Sequence, residues 1–175
     1  LSRSALPRPQ TLFPAVFRAF AAILERIPTS VSLAICGRGD TIESLRALAK
    51  DLGIQERVRF VGSVDNRALH ALYRNALALA FPSIIEGFGL PVLEAMAHGC
   101  PVVTSNRPPL SEITGPDAIL VDPESIDSIA KGLLDAVTRP ELRADLRRRG
   151  TLRSRAFTWE KAASQTLEIY RSVGT

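Results

Sequence analysis

Residues 77–105, LALAFPSIIEGFGLPVLEAMAHGCPVVTS, set two short apolar runs around a glycine-rich loop and a helix-like stretch. LALAF (77–81) reads as a strand stopped by Pro82, and PVVTS (101–105) as a second strand. Between them EGFGLPVLE runs into a helix that Gly99 is placed to close. A strand, a helix and a strand in this order predict parallel pairing through a right-handed crossover.

The same alternation extends both ways. Upstream, TLFPAVFRAFAAILER reads as a helix ending at Pro28, VSLAIC (31–36) as a strand, and TIESLRALAKDLG as a helix. Asp40 is the expected cap of that helix, with Glu43 as its capping-box partner and Gly53 as its stop. RVRFVG (57–62) is the next strand and NRALHALYRNA the next helix. Downstream, RPPLSEIT reads as a turn with a short helix, AILVD (118–122) as a strand, and 125–138, 140–155 and 158–172 as helices. The strands are continuous apolar runs, as expected where both sheet faces are covered. The prediction is a doubly wound parallel α/β sheet with extra C-terminal helices, in one domain over residues 10–175. Residues 1–9 read as a linker or truncation remnant, and no opening strand is evident there.

Composition narrows the class. The 175 residues are 46% hydrophobic and 23% charged, a globular balance. No apolar run approaches the ~20 residues needed to cross a bilayer. Cys36 and Cys100 have no metal-ligand spacing and read as buried, reduced thiols of a cytoplasmic protein. The net charge of +4 owes much to RADLRRRGTLRSR, 143–155. That run reads as a solvated helix face or as a contact for an anionic membrane or acidic substrate. It has no interleaved aromatics, and nucleic acid is not an expected partner.

Ligands of doubly wound sheets bind beyond the C-terminal ends of the strands. Here those ends are 36–39, 62–64, 81–89, 104–106 and 121–123. The loop at 86–94 is the richest. Pro91 suits the first turn of a helix, where a missing N–H costs nothing. The N–H groups of Gly87, Phe88, Gly89 and Leu90 then lie at a helix N-terminus, a favourable place for a diphosphate. Gly87 and Gly89 permit positive φ and leave room for a ligand. Glu86 and Glu94 flank these donors, and a carboxylate accepts hydrogen bonds from a vicinal diol. Two acids around a diphosphate cradle match a nucleotide-sugar. A Gly-Pro turn carrying two solvated acids is the alternative on residue chemistry alone. Phe88 either packs under the loop or lines the sugar site. His70 and His98 read as structural, Tyr73 as core and Trp159 as a packing anchor.

FPSIIEGFGLPVLEAMAHGCPVVTSN, with E-x7-E inside it and DAILVDP after it, resembles the signature of the family 4 retaining glycosyltransferases of GT-B fold. RVRFVGSVDNRALHALYRNA resembles the preceding stretch of the same family. The resemblance covers about residues 31–172 and is to the C-terminal, nucleotide-sugar-binding half. It implies that Glu86 contacts donor-sugar hydroxyls, as the catalytic-site carboxylate. It implies that Glu94 binds the ribose, and that Gly87, Phe88, Gly89 and Leu90 contact sugar and diphosphate. Gly62, Ser63 and Val64 lie against the base, with Gly37 and Gly39 at the adjacent strand end. The family carries an Arg and a Lys near the start of this half. Arg8 is the nearest candidate, and no lysine accompanies it.

The implied reaction is retaining transfer of a sugar from a GDP- or UDP-linked donor to an acceptor hydroxyl. SNRPPLSEI resembles mannosyltransferase-like members and suggests GDP-mannose. No D-x-D is present, so neither a metal nor a separate cofactor is expected. The implied partners are the nucleotide-sugar, an N-terminal acceptor domain absent from this chain, and a lipid-linked acceptor at the inner membrane face. Without the acceptor domain the chain is expected to be inactive alone. A non-catalytic nucleotide-binding module is the alternative. A nicotinamide enzyme fits poorly, because Ile42 stands where G-x-G-x-x-G needs its third glycine. A sugar-nucleotide epimerase on the same fold is the remaining class.

Overall fold

The computed structural model describes residues 12–37, 39 and 41–173. Helix α1 (Leu12–Ile23) leads to β1 (Leu33–Cys36), α2 (Ile42–Asp51), β2 (Val58–Gly62), α3 (Asn66–Asn75) and β3 (Leu79–Phe81). Then follow α4 (Leu90–Ala97), β4 (Val102–Ser105), α5 (Leu110–Thr114) and β5 (Ile119–Val121). Three helices close the chain: α6 (Ile126–Thr138), α7 (Pro140–Ser154) and α8 (Trp159–Val173). Every strand pair is parallel, as the alternation predicts.

The doubly wound α/β reading holds, with one difference. The ladder is hydrogen-bonded in two parts, β1–β2 and β3–β4–β5. Leu33 faces Val58 in the first part, and Leu79 faces Val102 in the second. Among the described residues, no strand joins β1 to β3. One core nevertheless serves both parts. Phe17, Phe20 and Ile23 of α1 cluster with Ile35 and Val58 of the first part and with Val103 and Val121 of the second. Their spacing along α1 makes a single apolar face. On the second part α6 lies so close that a Cβ at Gly132 would stand 2.6 Å from a methyl of Val121 and 3.0 Å from one of Val103. Only glycine allows that approach.

Helix ends repeat the sequence expectations where the chemistry is local. Gly53 (φ +68°) stops α2: its N–H donates to the Lys50 carbonyl, and the Ile54 N–H to that of Ala49. Gly99 (φ +67°) stops α4 in the same way, through Met96 and Ala95. Both are paired-bond αL terminations, needing a residue that tolerates positive φ. The capping box at α2 is different. Asp40 lies outside the described residues, Thr41 is the N-cap residue without a side-chain cap bond, and Glu43 pairs with Arg46 at 3.7 Å.

Two further expectations change. Trp159 anchors nothing: it is 79% exposed, because α8 has no buried residue. The basic run is not simply a solvated face. Arg143 donates to the Ala136 and Val137 carbonyls at the end of α6, and Arg153 to those of Glu112 and Ile113 in α5. Arg149 bonds the Pro116 carbonyl and lies 3.6 Å from Asp117 and 3.1 Å from Asp145.

Candidate functional site

The end of β3 is pinned by Thr104 of β4, whose hydroxyl donates to the Phe81 carbonyl at 2.8 Å. Buried Pro82 then turns the chain out, and Ile85, Gly87, Phe88 and Leu90 are exposed, with Glu86 half-buried before them. Gly89 is buried and takes φ +107° as the N-cap residue of α4. A Cβ there would overlap Leu110 of α5. Glycine is therefore required at position 89 by both conformation and space. Gly87 needs neither: a Cβ there meets open space, and its φ is not positive. The carbonyl of Gly89 accepts from the Val92 N–H at 3.0 Å, which closes the first turn, and Pro91 sits within it. The N–H groups of Gly87, Phe88, Gly89 and Leu90 have no backbone acceptor among the described residues. They form a set of free donors at the positive end of a helix.

Glu94 lies one turn into α4 and is exposed. The Tyr73 hydroxyl, from α3, donates to its Oε2 at 3.4 Å. Tyr73 is 8% exposed, and burial, with the Glu94 carboxylate adding to it, pushes its phenol up to about 12. Behind Glu94, His98 Nδ1 is 2.8 Å from the Glu94 carbonyl oxygen. The His98 ring stacks on His70 at 4.1 Å, so both imidazoles are structural groups between α3 and α4.

The other strand ends supply a second rim. The Gly37 N–H donates to the Gly62 carbonyl at 2.9 Å, and both glycines have positive φ. Gly39 and Ser63 are exposed and Val64 is half-buried. Asp65 then caps α3 by accepting from the Ala68 N–H at 2.7 Å. The structure thus joins Gly37 to Gly62, and Phe88, Gly89 and Leu90 to the start of α4. No hydrogen bond among the described residues joins these two rims directly. Helix α3 links them, starting beside Val64 and reaching Glu94 through Tyr73. Arg8 lies outside the described residues.

A cavity of about 660 Å³ lies between α4 and the α7–α8 junction. Phe88, Leu90 and Glu94 line it together with Arg153, Phe157 and Lys161. Phe88 meets Phe157 edge-on at 6.4 Å, and the Arg153 guanidinium lies 5.4 Å from the Phe157 ring centre. Phe88 therefore packs on the side of the loop toward α7. Sequence reasoning missed the α7–α8 junction. The aromatic pair Phe157 and Trp159 at a break between two polar helices was the available signal.

The profile of the family described as "Glycosyl transferases group 1" matches residues 13–153. This chain belongs to the group 1 glycosyltransferases. The O-antigen chain mannosyltransferase B of Escherichia coli is 37% identical over 114 residues, which are 65% of this chain and 30% of that protein. Sucrose-phosphate synthase from Thermosynechococcus elongatus superposes with a TM-score of 0.80 at 29% identity, over 94% of this chain and 42% of that one. The C-terminal domain of the group 1 protein LpcC from Francisella tularensis superposes with a TM-score of 0.74 at 25% identity. That match covers 85% of this chain and 80% of the LpcC domain. The chain thus corresponds to the C-terminal, Rossmann-like domain of a GT-B glycosyltransferase. It spans 26–41% of the length of the curated relatives it matches. Among the described residues of this group 1 domain, no helix is long and apolar enough to cross a membrane.

Proposed function

We propose that this group 1 domain binds the nucleotide-sugar donor of a retaining glycosyltransferase, with Glu86 at the donor sugar and Glu94 at the ribose. The observation that carries the reading is the start of α4. There the N–H groups of Gly87 to Leu90, which lie in the chain between Glu86 and Glu94, have no backbone acceptor at a helix N-terminus. Gly87 to Leu90 would meet the diphosphate, each bond to a charged oxygen contributing about 1.5–3 kcal/mol. Gly62, Ser63 and Val64 would face the base, with Gly37 and Gly39 beside them. The donor is GDP- or UDP-linked. Similarity to an O-antigen chain mannosyltransferase supports mannose as the sugar, and we take GDP-mannose as the first donor to test.

In this mechanism the bond from the anomeric carbon to the leaving phosphate oxygen breaks. A bond to the acceptor oxygen forms on the same face, and the acceptor's proton passes to the leaving phosphate. Stabilisation of that phosphate by fixed donors is the main source of rate. The carboxylates are not an acid and nucleophile pair of the glycosidase kind, because Glu94 is assigned to the ribose. The acceptor pocket belongs to a separate N-terminal domain, and the isolated donor half does not turn over. A lipid-linked acceptor at the cytoplasmic membrane face fits the exposed guanidinium groups of Arg147 and Arg155.

Calorimetric titration with GDP, UDP, GDP-mannose and UDP-glucose at low salt tests the reading. Half a site binds at about 10 μM to 1 mM, or roughly −4 to −7 kcal/mol. Glu94→Ala weakens all bound nucleotides, whereas Glu86→Ala weakens sugar-nucleotide relative to plain nucleotide. If both variants bind every ligand as the parent does, the site is wrongly placed.

A further inference from the structure

Helix α3 begins directly after the Gly62–Val64 loop, with Asp65 as its cap. Tyr73 lies seven residues into that helix, about 10 Å along its axis. It belongs to one buried cluster with Val92, Ala95 and Met96 of α4. Its hydroxyl meets Glu94 Oε2. The backbone of Glu94 is held as well, by the His98 imidazole at its carbonyl, and His98 is braced in turn by His70. An exposed glutamate with no such contact samples several rotamers and must be ordered when a ligand arrives. An ionised carboxylate offers about four acceptor positions. One bond from Tyr73 leaves room for both hydroxyls of a diol.

We infer that Tyr73 is a positioning residue for the donor ribose: its hydroxyl holds the Glu94 carboxylate ready for the 2′,3′-diol. Through α3 it also ties that carboxylate to the loop at 62–64. The inference rests on the donor-site reading above. It adds a residue that never touches the ligand and that acts only through Glu94. Burial, with the Glu94 carboxylate adding to it, keeps the Tyr73 phenol protonated and a donor well above neutral pH. At 3.4 Å the bond is long, so its loss is felt as a modest change in affinity.

The test is a two-by-two set: the parent chain, Tyr73→Phe, Glu94→Ala and the double variant. Each is titrated with UDP, GDP and their 2′-deoxy forms. Phenylalanine keeps the buried ring, and thermal unfolding checks that the fold is retained. The expected result is about 3- to 10-fold weaker binding of the ribonucleotides by Tyr73→Phe, the scale of one ordinary hydrogen bond rather than of a short charge-assisted one. The deoxy forms lose less, and the Tyr73→Phe effect vanishes on the Glu94→Ala background. A merely structural tyrosine would weaken ribo and deoxy forms alike and would do so with or without Glu94. That result overturns the inference and leaves the donor site standing, provided Glu94→Ala itself weakens binding. Binding that Glu94→Ala does not alter overturns the ribose assignment and the role of Tyr73 together. So does a parent chain that binds neither UDP nor GDP.

Discussion

Replacing Gly89 with alanine is the sharpest probe of the α4 turn, because two costs fall on one methyl group. The backbone stands at φ +107°, ψ +43°, a region that L-residues rarely adopt. A non-glycine residue held in such a region costs about 1–3 kcal/mol. The added Cβ also overlaps a methyl of Leu110, which is only 1% exposed and has nowhere to swing. Overpacking of that kind costs a further ~1–3 kcal/mol. Restricting the unfolded chain returns about 0.4–1 kcal/mol. The net loss is then about 1–5.5 kcal/mol, or a fall in Tm of roughly 2–20 °C for a chain of this size. Urea unfolding of Gly89→Ala, Leu110→Ala and the double variant separates the two costs. Leu110→Ala alone loses about 2–5 kcal/mol as a cavity. In the double variant the overlap is gone, so the combined loss falls short of the sum by about 1–3 kcal/mol. Gly87→Ala is the control two residues away. It has open space and no positive φ, and it stays within about 0.5 kcal/mol of the parent. A loss below about 1 kcal/mol for Gly89→Ala would refute the geometry of the turn. Strict additivity of the pair would refute the contact with Leu110.

Arg153→Lys keeps the charge but cannot span the Glu112 and Ile113 carbonyls with one nitrogen; a loss of about 1–3 kcal/mol in urea unfolding is expected. Burial pushes the Cys100 thiol up from 9.0 to about 11, so the folded state keeps a proton that the unfolded state gives up. Stability from this group is complete below pH 9 and lost as pH rises toward about 11, a span of roughly 2–3 kcal/mol. Denaturant titrations from pH 8.5 upward should show that decline in the parent and a shallower one in Cys100→Ala.

Much of this architecture is legible in the chain because its signals are local. Gly53 and Gly99 end helices through a backbone conformation that the residue itself permits, and Pro91 with Gly89 marks the start of α4 for the same reason. The candidate site was legible to the same depth: the turn and both acids lie within nine consecutive residues. What escaped depends on distant partners. Tyr73 reads as a core residue in any helix-face pattern, and nothing near it points to Glu94, 21 positions on. Trp159 looks like an anchor by residue type, yet burial is a property of what covers a helix, and nothing described covers α8. Continuous apolar strands predict a covered sheet. They do not say which strands are hydrogen-bonded neighbours, so the division between β1 and β3 could not be read.

The basic run shows how a charge pattern changes meaning once partners are known. A helix C-terminus leaves carbonyl groups without intrahelical donors. Arg143 supplies donors at the end of α6, Arg153 at the end of α5, and Arg149 just beyond α5, where it also faces Asp117 and Asp145. Gly150 brings α7 against Met96 of α4, and the Thr151 hydroxyl donates to the Met96 carbonyl. The same helix therefore ties α4, α5 and α6 together. Helix α5 in turn presents Leu110 to Gly89. Half of the arginines in this run, Arg143, Arg149 and Arg153, thus act on backbone carbonyls of neighbouring elements. They hold in place the platform on which the α4 turn rests.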